Sequence, residues 1–274
     1  MSESRPSVLR FENVSVSFDG EPALQDVSFE AFEADSRVIL GAAGSGKTVV
    51  LKTAMGLVKP DSGRILVFGE DITRMAEQRL FDIRSRIGML FQESALFDSM
   101  TIEENVAYPL LNQRSIQCPE DQVLPRVEEA LEFVSLRGTL EKFPAELSGG
   151  MRRRAAIARA VITEPPLQMY DSPTAGLDPI TAHTIMELLI KERDVSRATT
   201  LMVTHRYQDG NLMANFRYNS ENGALEPARG GLRRDLRTTF MVMKQGRLIF
   251  EGDQDELESS SDSYIRKFFK QRES

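Results

Sequence analysis

The chain has 274 residues, 41% of them hydrophobic, enough for a sizeable core in one large domain or two small ones. Its formal net charge of -7 argues against a nucleic-acid surface as its main business, because phosphate-backbone binding needs concentrated Lys and Arg. A single cysteine, Cys118, excludes an intrachain disulfide framework or thiolate metal cluster. No run approaches the roughly 20 apolar residues that span a bilayer, and the start Met1-Ser2-Glu3-Ser4-Arg5-Pro6 lacks a signal-peptide apolar core. A soluble globular chain is expected, with any membrane role borrowed from a partner.

In chain order, Val14, Val16 and Phe18 alternate with polar neighbours, and Val27, Phe29 and Ala31 do the same after the Asp19-Gly20 turn, which predicts an antiparallel layer. Val38-Ile39-Leu40 then enters Gly41-Ala42-Ala43-Gly44-Ser45-Gly46-Lys47-Thr48, a fit to the phosphate-loop pattern G-x-x-x-x-G-K-[ST]. Val49, Val50, Ala54 and Leu57 follow at helical spacing, giving the strand-loop-helix context the motif requires. Glycines let the backbone wrap an anion, and the starting helix aims unpaired N–H groups at it. Lys47 would reach the β- and γ-phosphates and the Thr48 hydroxyl would bind Mg²⁺.

Further strands are predicted at 65–68 and 87–91, a mostly helical insertion over about 100–160, and a resumed core with a strand at 167–171, a helix at 179–192 and a strand at 199–204. Such alternation implies a parallel sheet with helices on both sides. From 206 to 237, Asp209-Gly210, Asn222-Gly223, Pro227 and Gly230-Gly231 punctuate the chain, and a long loop is expected. A closing hairpin around Gln245-Gly246 and a short helix near 264–269 end the chain.

A phosphate loop needs a second, carboxylate-bearing strand to hold Mg²⁺, and Leu167-Gln168-Met169-Tyr170-Asp171 supplies one with Asp171 as candidate. Leu147-Ser148-Gly149-Gly150-Met151 opens a second glycine-rich helix N-terminus, suited to an anion. Phosphate loop, Gln92 after Leu90-Phe91, L-S-G-G-M, Asp171-Ser172-Pro173-Thr174, Ala175-Gly176-Leu177-Asp178 and His205 after Met202-Val203-Thr204 stand in an order that resembles the nucleotide-binding subunit of an ATP-binding cassette (ABC) transporter over nearly the whole chain.

The resemblance implies an α/β fold: a P-loop NTPase with a RecA-like parallel sheet core, an antiparallel β subdomain and a helical ABC subdomain. It divides the chain into an ATPase domain at 1–252, with the helical subdomain at about 93–162 and the loop insertion at about 206–237, and a C-terminal helical tail at 253–274. It also implies ATP and Mg²⁺ as cofactors, and a head-to-tail pair of cassettes in which Ser148, Gly149 and Gly150 contact the γ-phosphate held by the partner's Lys47. Gln92 would sense Mg²⁺ and the attacking water, Asp178 would couple the two sites, and His205 would contact the γ-phosphate. Phe18 falls where the family stacks an aromatic on adenine; a core-facing strand residue is the other reading. Gly41, Gly44, Ser45 and Gly46 complete the nucleotide-binding set, and Thr48, Gln92 and Asp171 the metal set.

Leu90-Phe91-Gln92, Ala95-Leu96-Phe97, Asn105 to Leu110 and Met151 look most like the ATPase subunits of Mla and Mce phospholipid-trafficking systems. The implied partners are a second cassette, an integral membrane permease and an envelope substrate-binding protein of Mce type, with no nucleic acid. The implied place is cytoplasmic, peripheral on the inner face of the cell membrane. A soluble superfamily member acting in translation or repair is the runner-up.

Two departures stand out. The family usually places a glutamate after Asp171, where this chain has Ser172, whose hydroxyl cannot act as a general base at neutral pH. A working transport ATPase, a clamp that binds ATP but hydrolyses it feebly, and a heterodimer partner stay open. The second is the 206–237 segment, with basic Arg229, Arg233, Arg234 and Arg237, read as a solvated insertion or a contact to lipid headgroups or an acidic permease surface. His183 is expected to be structural, and Arg152-Arg153-Arg154 a solvated or interface helix face.

Overall fold

The apolar run before the phosphate loop becomes the middle of a six-stranded sheet. In the computed structural model, which describes residues 5–113, 116–228 and 238–269, β3 (Ser36–Gly41) lies between β8 (Thr199–Thr204) and β11 (Thr238–Lys244). The order continues through β7 (Leu167–Asp171) to β6 (Ile87–Leu90) on one side. On the other, β12 (Arg247–Gly252) pairs antiparallel with β11; every remaining pairing in this sheet is parallel. All residues of β3, β7 and β8 are buried, as a parallel sheet covered on both faces requires.

Because side chains alternate along a strand, each central strand feeds two cores. Val38 and Leu40 of β3, Tyr170 of β7, Met202 of β8 and Phe240 and Val242 of β11 join the helical side. Ile39, Leu167, Met169, Leu201, Val203, Met241 and Met243 face the other way, toward an antiparallel sheet. That sheet has the order β2 (Glu21–Phe32), β1 (Ser7–Phe18), β4 (Ser62–Val67), β5 (Glu70–Asp71). Helices α1 (Lys47–Ala54) and α2 (Glu77–Arg84) contribute Val50, Leu51, Leu80 and Ile83 to the same core. The expected antiparallel layer and parallel core are both present.

The helical insertion comprises α3 (Ile102–Asn112), α4 (Glu120–Phe133) and α5 (Gly149–Val161). Thr101 and Glu104 form a reciprocal capping box at the start of α3. Helix α6 (Pro179–Ser196) then covers the core sheet.

The expected loop at 206–237 is corrected over its described part. It forms α7 (Tyr207–Asn215) and a hairpin of β9 (Phe216–Asn219) with β10 (Ala224–Pro227). Asp209-Gly210 reads as a turn in sequence, but Gly210 sits inside α7 because the helix presses on the sheet. A Cβ there would meet the Phe240 ring at 2.6 Å and Val38 at 3.0 Å. Asn222-Gly223 is a true turn, closing the hairpin with Gly223 at a φ of 69°. Buried Arg193 of α6 anchors the insertion by donating to the Met213 and Phe216 carbonyls, and the Tyr218 N–H donates to the Asp194 carboxylate at 2.7 Å. Arg229, Arg233, Arg234 and Arg237 lie outside the described residues, as do 270–274 of the tail. The described tail is two short helices, α8 (Gln254–Glu258) and α9 (Ser263–Arg266).

Candidate functional site

The carboxyl ends of β3, β6, β7 and β8 point to one crevice, the position where open parallel sheets bind ligands. A pocket of about 560 Å³ there is lined by Ala42, Ala43, Gly44, Lys47, Thr48, Gln92, Ser172 and His205. The phosphate loop follows β3 directly, and α1 begins at Lys47 behind a left-handed Gly46. Gly44 and Gly46 hold φ of 73° and 102°, conformations only glycine adopts without strain. At Gly46 a Cβ would also meet the Ala23 carbonyl oxygen at 2.6 Å. Gly46→Ala is therefore expected to cost about 1–3 kcal/mol of stability, read as a melting point several degrees lower, together with weakened ATP binding; an unchanged melting curve would contradict this geometry.

Lys47 folds along the loop, donating to the Gly41 and Ala42 carbonyls at 2.8 Å each and to Ser45 Oγ at 3.4 Å. Burial pulls its pKa down, and the Asp171 carboxylate acts in the opposite direction. Asp171 ends β7, one strand removed from β3, and its Oδ2 accepts from Thr48 Oγ1 at 2.8 Å. Its Oδ1 is buried without a hydrogen-bond partner among the described residues. A hydroxyl bonded to one carboxylate oxygen while the other stands free beside a phosphate cradle is a donor set that fits Mg²⁺.

Gln92 follows β6 and His205 follows β8, both exposed in the pocket wall. Ser172 is 8% exposed and holds a φ of 47°, unusual outside glycine. Its N–H donates to the Val203 carbonyl at 2.8 Å and its carbonyl accepts from Ala175 N–H at 3.0 Å, so the turn after β7 is fixed at both ends. Phe18 stands at the end of β1, 48% exposed, which overturns the core-facing reading and leaves its ring open to a stacking partner.

Ser148, Gly149 and Gly150 are not among the residues lining this pocket. They form the start of α5, with Ser148 and Gly149 exposed and Gly150 half-buried, and Ser148 Oγ accepts from Met151 N–H at 3.2 Å as an N-cap. Asp178 caps α6, accepting from Ile180 and Thr181 N–H; the Thr181 hydrogen bonds, followed by the Ile180 one, hold its pKa low. The arginine run is solvated only in part, with Arg152 exposed, Arg154 half-buried and Arg153 buried. Arg152 donates to the Leu147 carbonyl, buried Arg153 to Phe91 and Arg154 to Val134 and Ser135. The Arg153 bond ties α5 to the residue before Gln92. His183 is exposed on α6, beside Glu187 at 3.2 Å.

The tail brings residues that sequence reasoning left out. Tyr264, Lys267 and Phe268 line the same pocket. Tyr264 Oη accepts from the Ala42 N–H of the phosphate loop and donates to the Met243 carbonyl, both at 3.1 Å. Nothing in the local pattern near 264 signals this.

Strand, glycine-rich loop and helix, with the hydroxyl of Thr48 bonded to a carboxylate from the parallel strand one removed, define a P-loop domain built for a nucleoside triphosphate. The chain belongs to the ABC transporter family, whose pattern matches residues 24–175. Among similar proteins, a probable ribonucleotide transport ATP-binding protein of Mycobacterium leprae is 37% identical over 197 residues, 72% of this chain and 56% of that protein. The intermembrane phospholipid transport system ATP-binding protein MlaF of Escherichia coli K12 is 38% identical over 205 residues, 75% of this chain and 76% of that protein. The chain thus spans little over half the length of the mycobacterial relative. A dimeric ATP-binding cassette solved in a post-hydrolysis state with ADP and phosphate superposes with a TM-score of 0.74 at 26% identity, over 90% of this chain and 98% of that one.

Proposed function

We propose that the chain is the ATP-hydrolysing subunit of an ABC transporter that drives a separate membrane permease carrying phospholipid or another hydrophobic cargo. The observation that carries it is the Thr48–Asp171 pair beside the phosphate loop, with Gln92, Ser172 and His205 in the same pocket wall. Lys47 and the loop N–H groups bind the β- and γ-phosphates, while Phe18 stacks on the base. Thr48, Asp171 and Gln92 would hold Mg²⁺, which would offset phosphate charge. Gln92 and His205 orient the γ-phosphate and the attacking water, and Ser172 can hold that water without taking its proton.

Ser148 to Gly150 stand apart from their own phosphate loop, so a second cassette has to bring its copy to close the site, with Asp178 coupling the two. No described helix is long and apolar enough to cross a membrane, which fits work through a partner at the inner face of the membrane. The printed names of the relatives differ on cargo, ribonucleotide against phospholipid; the Leu90 to Leu110 pattern favours phospholipid, with a Mce-type envelope protein as the further partner.

The serine at 172 favours a second reading, an ATP-dependent clamp with feeble hydrolysis. Co-purification with a permease, followed by steady-state ATPase of wild type and Ser172→Ala, separates the two. Ordinary wild-type turnover sinks the clamp, and turnover near background with intact ATP-driven dimerisation supports it. Absence of any co-purifying permease would favour a soluble member of the family.

A further inference from the structure

Ser172 and His205 leave the sheet from adjacent parallel strands; the last backbone tie between them is the Ser172 N–H to the Val203 carbonyl at 2.8 Å, and past it only side chains join the two turns. Asp209 stands beneath them on α7, 1% exposed. Its Oδ2 accepts from Thr174 Oγ1 at 2.7 Å and from Thr204 Oγ1 at 2.8 Å. Thr174 lies two residues past Ser172, and Thr204 immediately precedes His205. Thr204 Oγ1 also accepts from the Arg206 N–H at 3.0 Å, which fixes the backbone on the far side of His205. The Arg206 guanidinium stands 3.8 Å from Asp209 Oδ1 and is itself partly exposed.

A carboxylate in this position is costly, since burial disfavours its charge and pushes its pKa up, while the two hydroxyl donors and then Arg206 offset only part of that. An apolar side chain would fill the same space between α7 and the sheet without that cost. What it could not do is accept from two hydroxyls on different turns with one oxygen atom.

We propose that Asp209 is a positioning residue for ATP hydrolysis, its carboxylate clamping Thr174 to Thr204 and so fixing the separation of Ser172 and His205 across the pocket. The proposal rests on the hydrolytic reading of the site. Where the water is held by a serine and a histidine from separate strands rather than by one carboxylate, that separation sets how well the water is aimed. A displacement of about 1 Å at such a site can lower turnover on the order of 100-fold. The clamp touches neither phosphate loop nor metal set, so it leaves ATP affinity alone.

The test uses the full chain, with ATP affinity read by a fluorescent ATP analogue and turnover read separately. Asp209→Ala is expected to lower kcat by ~10- to 100-fold while the Kd stays within about 3-fold of wild type. Asp209→Asn recovers most of the rate, because its amide oxygen still accepts from both hydroxyls. Thr174→Val, which keeps the side-chain volume and the carboxylate but leaves it one donor short, lowers kcat while the melting temperature falls by only a few degrees. On a His205→Ala background, Asp209→Ala adds no further loss. Wild-type kcat in Asp209→Ala, losses that add fully on the His205→Ala background, or equal losses in kcat and affinity would overturn the proposal. Should wild type itself show no hydrolysis, the hydrolytic reading fails on its own. Backbone amide exchange at 172–176 and 203–206 then decides the clamp: faster exchange in Asp209→Ala upholds it, and an unchanged rate refutes it.

Discussion

Ser172→Glu is expected to raise steady-state ATP turnover by ~100-fold or more, with little change in ATP affinity. A positioned general base contributes roughly 10² to 10⁴ in rate, equivalent to about 3 to 5 kcal/mol of barrier. The turn is already set for such a group: Ser172 is pinned by its N–H to Val203 and its carbonyl to Ala175, so the side chain leaves a fixed backbone toward the pocket wall. Its left-handed φ is paid equally by serine and glutamate, so the change should not cost the fold. Turnover at saturating ATP and the Kd, measured side by side, check this. Equal rates in wild type and Ser172→Glu would mean that the water is already activated from elsewhere, with His205 and Gln92 as the remaining groups in the pocket.

Lys47→Ala is expected to weaken ATP binding by ~30-fold or more. Lys47 is 8% exposed and supplies the cation inside a loop that also faces the Asp171 carboxylate. Truncating one partner of a buried, hydrogen-bonded charge pair costs about 2–5 kcal/mol, at about 1.4 kcal/mol per tenfold in affinity. The loss is electrostatic as well as geometric, since Asp171 would then face the phosphates without Lys47 between them. Gly41 and Ala42 lose a donor to their carbonyls, yet β3 keeps both of its neighbours, so the melting temperature should move by only a few degrees. Titration with ATP and a thermal melt check the two halves; unimpaired binding would remove Lys47 from the site.

Much of this was legible from residue pattern because the chemistry of a parallel α/β sheet is local. Continuous apolar runs marked β3, β7 and β8, and the residues that follow them are those that reach the crevice. Asp171 was legible for that reason, while Gln92, Ser172 and His205 were reached through the resemblance to the ABC family. The errors arose where a residue answers to a distant neighbour. Gly210 was read as a turn, but its lack of a side chain serves the Phe240 ring across the interface. The arginines at 152–154 were read as a solvated or interface face, which misses that Arg153 is buried and that each guanidinium reaches carbonyls outside its own helix. Tyr264 and Asp209 carry no local signal, because what they do depends on segments that only the folded sheet brings to them.

The position of β3 has a consequence for how the chain is made. Emerging from the ribosome, the strand that leads into the phosphate loop appears before either of the strands that flank it in the sheet. Both of its ladder neighbours, β8 and β11, lie in the last third of the sequence. The Tyr264 hydroxyl that bonds to Ala42 arrives later still, 222 positions on. The antiparallel β1–β2 pair can close at once, whereas β3 must wait for its ladder partners until β8 and β11 have been made. Ribosome-associated chaperones would therefore meet this protein at the segment that later cradles the nucleotide.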